Sequence, residues 1–171
     1  IAVTPSTGYT VTVGAARVQG SDLAGQDSWF STTGTVLAKG GSISADRTVA
    51  APGGLAADGV GDTKYSGGTG EAPGSAVDHA GGGGGGGAGT SANGSNGAGG
   101  TGGAGGSTGG GAGGNGGAGP AGGAQPTVGT TLGGGGGGAA RNQFGAASAR
   151  GEVRVTYTAV PSTGNFLPYM M

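Results

Sequence analysis

The single histidine of the chain, His79, follows Asp78 directly in the sequence. An imidazole beside a carboxylate suits general-base or metal chemistry, but either role needs further ligands or a positioned nucleophile. The chain has no cysteine and no second histidine, and no elbow-like sequence surrounds a serine. We therefore interpret Asp78 and His79 as a surface pair and expect no metal site.

The glycine run at residues 133–138 is the closest approach to a phosphate-binding loop. It continues into Ala139, Ala140 and Arg141, where such a loop would need lysine followed by serine or threonine. Patterns of the G-x-G-x-x-G type recur through the chain from composition alone and carry no information. The sequence predicts no cofactor and no enzymatic activity.

Composition excludes an ordinary hydrophobic core. Of 171 residues 51 are glycine, and only three are phenylalanine, four tyrosine and one tryptophan. At roughly 25 cal/mol per Å² of buried apolar surface, so few large side chains cannot hold a domain together. Charged residues make up 9% and the net charge is −1, which is low for a disordered chain. The basic residues are scattered, so a nucleic-acid partner is not expected, and no apolar run predicts membrane insertion.

Two segments alternate as strands do. In residues 9–13 the large side chains of Tyr9, Val11 and Val13 share one face, and in residues 152–157 those of Val153, Val155 and Tyr157 do so. We expect these segments to lie near each other and to form a small β portion. Between residues 22 and 38 an apolar cluster, interpreted as a core plug, comprises Leu23, Trp29, Phe30, Val36 and Leu37.

Residues 81–138 are the distinctive part of the chain. Seven glycines (81–87) open this tract, six (133–138) close it, and a Gly-Gly-X triplet repeats between them with a slip near Thr108. The X positions are Ala98, Thr101, Ala104, Ser107, Ala112, Asn115, Ala118, Ala121 and Ala124. A period of three is that of the polyproline-II helix, which has no internal hydrogen bonds. Collagen is rejected because it places one glycine in each triplet and is rich in proline.

The Gly-Gly-X pattern leaves two edges of such a helix bare, so that neighbouring backbones can approach within hydrogen-bonding distance. The two pure glycine runs are then candidates for the centre of a bundle. We predict a mostly irregular, all-β-like fold with almost no α-helix, in which a bundle of polyproline-II-type (polyglycine II) helices is capped by a small β-strand and aromatic plug. The expected regions are a plug (1–49), the bundle (50–145), a closing strand (146–160) and an apolar tail (161–171).

Larger or polar side chains in or beside the glycine tract are the candidates for surface recognition, since loops on a rigid scaffold often carry it. They are Asp62, Lys64, Tyr65, Asp78, His79, Gln125, Arg141, Asn142 and Phe144. The alternative is that they only end the helices and keep the tip soluble. The tail is expected to dock on a partner subunit or on the plug through Phe166, Leu167, Tyr169, Met170 and Met171.

Three segments resemble the glycine-rich domains of bacteriophage tail proteins, the minor tail proteins and tail-fibre adhesins. They are VTPSTGYTVTVGA (residues 3–15), DSWFSTTGTVLAKGG (27–41) and GEVRVTYT (151–158), with the glycine runs between the second and the third. The resemblance implies a structural virion protein that displays loops for host attachment. It also implies tail-subunit partners, a symmetric homo-oligomer, a host-surface glycan or protein as receptor, and further sequence before Ile1.

Two alternatives stay open. GGAGGNGGAG (residues 110–119) resembles the repeats of mycobacterial PGRS surface proteins, which lack the flanking strand segments and would place the chain at the cell surface. A glycine-helix ice-binding protein would need a flat, regular Ala/Thr face, and this repeat slips midway.

Overall fold

The computed structural model describes residues 1–4, 6–21, 23–44, 49–72, 80–118, 124–140, 144–156 and 158. Within them there is no α-helix, and regular structure is limited to three short strands and a 3-10 turn at Ala56–Asp58. The prediction of a mostly irregular fold with a small β portion is confirmed at this level. In this part of the chain no helix reaches the length and hydrophobicity that crossing a bilayer requires.

The sheet is antiparallel and follows chain order. It consists of β1 (Val11–Thr12), β2 (Ser28–Phe30) and β3 (Val36–Ala38). The turn between β2 and β3 closes with the Thr35 N–H donating to the Thr32 carbonyl over 3.0 Å. Because side chains alternate across a strand, Ser28 and Phe30 of β2 are buried and Trp29 points to the opposite face.

The hydrophobic plug is smaller than the sequence predicts. Phe30 is 8% exposed and stacks on Tyr9, with ring centroids 5.3 Å apart. Leu23, by contrast, is 62% exposed and Val36 is 37% exposed. Of the five side chains predicted for the plug, only Phe30 is buried, and the exposure of Leu23 shows that assigning it to the plug was wrong.

The predicted second strand is also wrong in the residues that the structure describes. Residues 152–156 belong to no strand, and the third strand is β3 instead. β3 follows β2 after a short turn, and closing a short loop costs little entropy. The two terminal segments nevertheless come close at their glycine-proximal ends, as expected, because the Gly151 N–H donates to the Gly14 carbonyl over 3.0 Å.

Residues 81–87, here called the central segment, form the best-covered part of the molecule, and all seven glycines are buried. On one side Gly81, Gly84 and Gly87 donate to the carbonyls of Gly117, Gly114 and Gly111 over 2.7–2.9 Å. Its partners on any one neighbour recur every third residue, not every second as in a β-ladder. The neighbouring segments are 66–71, 94–97, 101–106, 111–117 and 132–138.

Side chains have no room in the central segment. A Cβ added at any of its seven glycines would lie closer than 3.0 Å to a backbone atom of a neighbouring segment, a separation that real Cβ atoms essentially never show. Glycine is therefore a packing requirement at these positions, as the Gly-Gly-X pattern indicates.

The burial of a residue in residues 101–118 follows its position in the triplet. Gly103 and Gly106, like Gly111, Gly114 and Gly117, are buried, one in each turn of three. The X residues Thr101, Ala104, Ser107, Asn115 and Ala118 are exposed. The slip near Thr108 is a turn, in which Thr108 and Gly109 have φ of 56° and 97°.

The second glycine run is less central than the first. Of residues 133–138 only Gly134 and Gly137 are buried, and Gly133 is exposed. This run packs against the central segment on one side, where Gly135 and Gly138 donate to the carbonyls of Gly85 and Gly82 over 2.9 and 2.8 Å. Only one of the two runs therefore occupies the centre.

Replacing Gly84 by alanine is expected to lower the free energy of unfolding by about 1–3 kcal/mol. The new methyl group would overlap the carbonyl oxygens of Gly135 and Gly136. The matched control is Gly8→Ala, because a Cβ at Gly8 meets no atom within 4 Å, and it should change stability by no more than about 0.5 kcal/mol. Urea denaturation measures both, and equal stabilities would contradict the need for bare backbone in the central segment.

Candidate functional site

The hydrogen-bond registers define two ends of the molecule. At the first end Gly94 donates to Ser66, Gly106 to Gly87 and Gly111 to Leu132. At the second end Gly81 donates to Gly117, Gly117 to Gly138 and Gly116 to Gly100, over 2.8–3.0 Å. Loops at the two ends are therefore separated by the length of the central segment.

Asp62, Lys64 and Tyr65 lie at the first end, in the loop that precedes Ser66. The base of this loop is fixed by Val60, which exchanges two backbone hydrogen bonds with Leu37 of β3, over 2.9 and 3.0 Å. The Lys64 ammonium donates to the Gly59 carbonyl over 3.1 Å, so its charge is partly engaged within its own loop. Asp62 is exposed and Tyr65 is half-buried.

Gln125 and Phe144 lie at the second end. Gln125 is exposed beside Ala124, whose carbonyl accepts from Ala118 over 2.9 Å. Phe144 is 71% exposed and its ring packs over Gly20, which turns with φ of 72°. The Gly20 N–H donates to the Gly145 carbonyl over 3.0 Å and holds this corner together.

The structure thus does not bring the predicted recognition residues into one site. Asp62, Lys64 and Tyr65 are at one end, while Gln125 and Phe144 are at the other. Asp78, His79, Arg141 and Asn142 lie outside the described residues, as do the tail residues Phe166, Leu167, Tyr169, Met170 and Met171.

The structure places Trp29 at a surface that the sequence analysis missed. Its side chain is on the outer face of β2 and lines a shallow groove of about 560 Å³. The groove is also lined by Thr12, Gly25, Gln26, Asp27 and Lys39. Alternation could have found it, since Trp29 and Phe30 are adjacent in a strand and cannot both point inward.

An ion pair forms the polar wall of this groove. The Lys39 ammonium donates to the Asp27 carboxylate over 2.6 Å, and the Gly40 N–H donates to its other oxygen over 2.9 Å. Burial alone would raise the pKa of Asp27, but the hydrogen bonds from Lys39 and Gly40 bring that pKa below its ordinary value. The same hydrogen bond raises the pKa of Lys39. Both groups are therefore charged at neutral pH.

Glu71 is a second residue that the sequence analysis missed. Its carboxylate accepts hydrogen bonds from the N–H groups of Gly100, Gly99 and Gly83, over 2.6, 2.8 and 3.1 Å. Gly99 and Gly100 have φ of 60° and 74°, and this two-residue turn requires glycine. Burial alone would raise the pKa of Glu71, but the three amides, Gly100 first, bring it below the ordinary value of 4.5.

Among the described residues no group of three or more His, Cys, Asp or Glu side chains could hold a metal ion. Comparisons with protein-family models, with curated proteins and with solved structures find no match to this chain.

Glu71 should make the fold sensitive to acid. Because its pKa is lowered on folding, its stabilising effect is complete above about pH 4.5 and is lost as the pH falls through the folded-state pKa. Glu71→Gln should remove this part of the pH dependence and cost about 1 kcal/mol at neutral pH, allowing for solvent screening. Thermal unfolding at neutral and acid pH measures both effects.

Asp62→Asn is the matched control for Glu71→Gln. It removes an exposed carboxylate for which the described residues supply no hydrogen-bond partner. If both variants lost the same acid-dependent stability, the contribution would belong to net charge and not to the three glycine amides.

Proposed function

We propose that this protein is a non-catalytic structural module in which a bundle of polyproline-II-type (polyglycine II) helices displays loops and a small β-sheet for surface attachment. The observation that carries the proposal is the burial of all seven residues of the central segment, with backbone hydrogen bonds to the segments around it. A scaffold of this kind holds its ends in fixed positions without a large hydrophobic core.

The polyproline-II interpretation is supported by the interval of three in the hydrogen bonds. A helix with three residues per turn presents equivalent groups along one edge at every third residue. Gly103 and Gly106 donate to Gly84 and Gly87, and Gly68 and Glu71 donate to Gly86 and Gly83. Segments 101–106 and 66–71 thus bond to different edges of the central segment.

The setting that we propose is the tail of a bacteriophage virion, at the tip or on a fibre. The support is the resemblance of residues 3–15, 27–41 and 151–158 to the glycine-rich domains of tail proteins. The partners would be other tail subunits in a symmetric homo-oligomer, to which the apolar residues 166–171 would dock. The receptor would be a glycan or protein on the host surface.

The groove beside Trp29 is the surface that best suits a glycan. A sugar ring has an apolar C–H face and a rim of hydroxyl groups. It therefore fits an aromatic face flanked by hydrogen-bonding groups such as Gln26 and the Asp27–Lys39 pair. The exposed ring of Phe144 at the second end is the competing contact point.

The setting is tested by mass spectrometry of purified virions from the source of the sequence. We expect peptides of this chain, and electron microscopy with an antibody should place it on the tail. Its absence from virions, with labelling of a bacterial surface, would instead favour the PGRS-like alternative.

Trp29→Ala should reduce binding to glycans on an array by about tenfold or more, the loss typical of a central aromatic contact. Phe144→Ala is the control, because it removes an exposed aromatic ring from the second end and leaves the groove intact. If Phe144→Ala lost binding and Trp29→Ala retained it, the glycan site would be at the second end and the groove assignment would be wrong.

A further inference from the structure

The two edges of the three-stranded sheet differ in how they are covered. At the β3 edge the N–H and C=O groups of Leu37 point away from β2, and Val60 pairs with both of them over 2.9 and 3.0 Å. At the opposite edge, formed by β1, no described residue takes the corresponding place. In the part of the chain that the structure describes, the sheet can therefore be extended only beyond β1.

The pairing of β1 with β2 fixes which peptide groups point toward the open edge. The Ser31 N–H donates to the Thr10 carbonyl over 2.7 Å, so Thr10 directs its peptide groups toward β2. Successive residues of an antiparallel strand direct these groups alternately to one side and the other. Those of Val11 therefore point away from β2, and those of Tyr9 and Val13 share that direction. None of the three has a backbone hydrogen-bond partner on this side among the described residues.

The side chains at this edge are apolar and partly exposed. Val11 lies opposite Phe30, which lies opposite Val36, so the three side chains form one row on the same face of the sheet. Phe30 in the middle of the row is buried, but Val11 at the open edge is 47% exposed and Val13 is 38% exposed. A strand added beyond β1 would cover this apolar surface and pair the outward peptide groups as well.

The open edge lacks the features that usually prevent strand addition. Natural edge strands are commonly protected by charged side chains, by proline or by a bulge. Residues 6–16 contain no charged residue and no proline, and the first charged side chain of the sequence is that of Arg17. An edge without such protection is expected to have a partner strand.

The sequence of β1 and its flanks is complementary to itself in the antiparallel direction. If Val11 lies opposite the same residue of a second copy, the outward N–H and C=O groups of the two bond to each other. This register places Tyr9 opposite Val13 and Thr10 opposite Thr12. Aromatic residues paired with β-branched ones, and threonine paired with threonine, are favourable across strands. No like charges meet, because this segment carries no charge.

We propose that two copies of this chain pair through β1, antiparallel and about a two-fold axis at Val11, so that their sheets join into one. The proposal deepens the proposed function, on whose symmetric homo-oligomer it rests, by naming the contact between subunits. The axis of such a pair is perpendicular to the sheet, so the Trp29 side chains of both copies lie on the same face.

This pairing gives the dimer two copies of the groove beside Trp29 on one surface. The two β2 strands are three inter-strand spacings apart, about 14 Å. When one groove holds a glycan of the host surface, the second groove meets a neighbouring glycan at a high effective concentration. The dimer therefore strengthens attachment without any further contact within each groove.

Val11→Lys is the disrupting variant. It places two like charges directly opposite each other at the axis, which destabilises strand pairing. In sedimentation velocity of the full chain over a concentration series, dimerisation should weaken about tenfold or more, the factor that corresponds to about 1.4 kcal/mol. Val18→Lys is the matched control. It adds the same charge at an exposed valine outside β1 and should leave dimerisation unchanged.

Val11→Glu tests the register. By itself it should prevent pairing as Val11→Lys does, since like charges again meet at the axis. An equimolar mixture of the two variants should form heterodimers, because opposite charges then lie opposite each other. A mixture that remains monomeric would overturn the pairing about Val11.

The other outcomes separate this inference from the proposed function. A chain that is monomeric at every concentration, or a dimer that Val11→Lys leaves intact, would overturn the β1 contact. Slow amide hydrogen exchange at Val11 in the monomer would also overturn it, because the chain would then cover its own edge. Exchange at Gly81, Gly84 and Gly87 in the same samples tests the bundle. Fast exchange there would refute the proposed scaffold, whatever the oligomeric state.

Discussion

Sideways hydrogen bonds between glycine backbones hold this molecule together, and they form only where no Cβ intervenes. Each such bond contributes about 0.5–1.5 kcal/mol net, while glycine loses more backbone entropy on ordering than any other residue. The arrangement is therefore stable only when many bonds form together. The central segment meets this need because all seven of its glycines are buried and neighbouring segments bond to it on several sides.

The interior consists mainly of backbone. Toward the surface, polar side chains accept hydrogen bonds from backbone N–H groups. Asn93 and Asn96 accept hydrogen bonds from the N–H groups of Ser66 and Thr69, over 2.8 Å in both cases. Thr130 accepts from Ala112 over 2.7 Å. Glu71 does the same for three glycines at a turn. A few short polar side chains thus pair amides that would otherwise depend on water, which suits a chain with only 9% charged residues.

The β-sheet and the glycine segments contribute different features to the structure. The sheet supplies the one stacked aromatic pair among the described residues, Tyr9 on Phe30, and it turns Trp29 outward into a groove with an ion pair. The glycine segments separate that groove from the exposed Phe144 at the second end. The described part of the chain therefore presents two separate exposed aromatic surfaces on one backbone scaffold.

The sequence alone determined the local pattern: glycine runs and Gly-Gly-X triplets whose bare edges allow close backbone packing, and a strand around Val11. These follow from residue type, since glycine permits close backbone contact wherever it stands. Only the tertiary structure decided which segments are neighbours. It showed that the first glycine run and not the second is central, that residues 98–101 form a turn bound by Glu71, that β2 pairs with β1, and that Trp29 faces outward. Glycine segments resemble one another and carry no side chains to specify their partners, so their neighbours are fixed only by the packing of the whole chain.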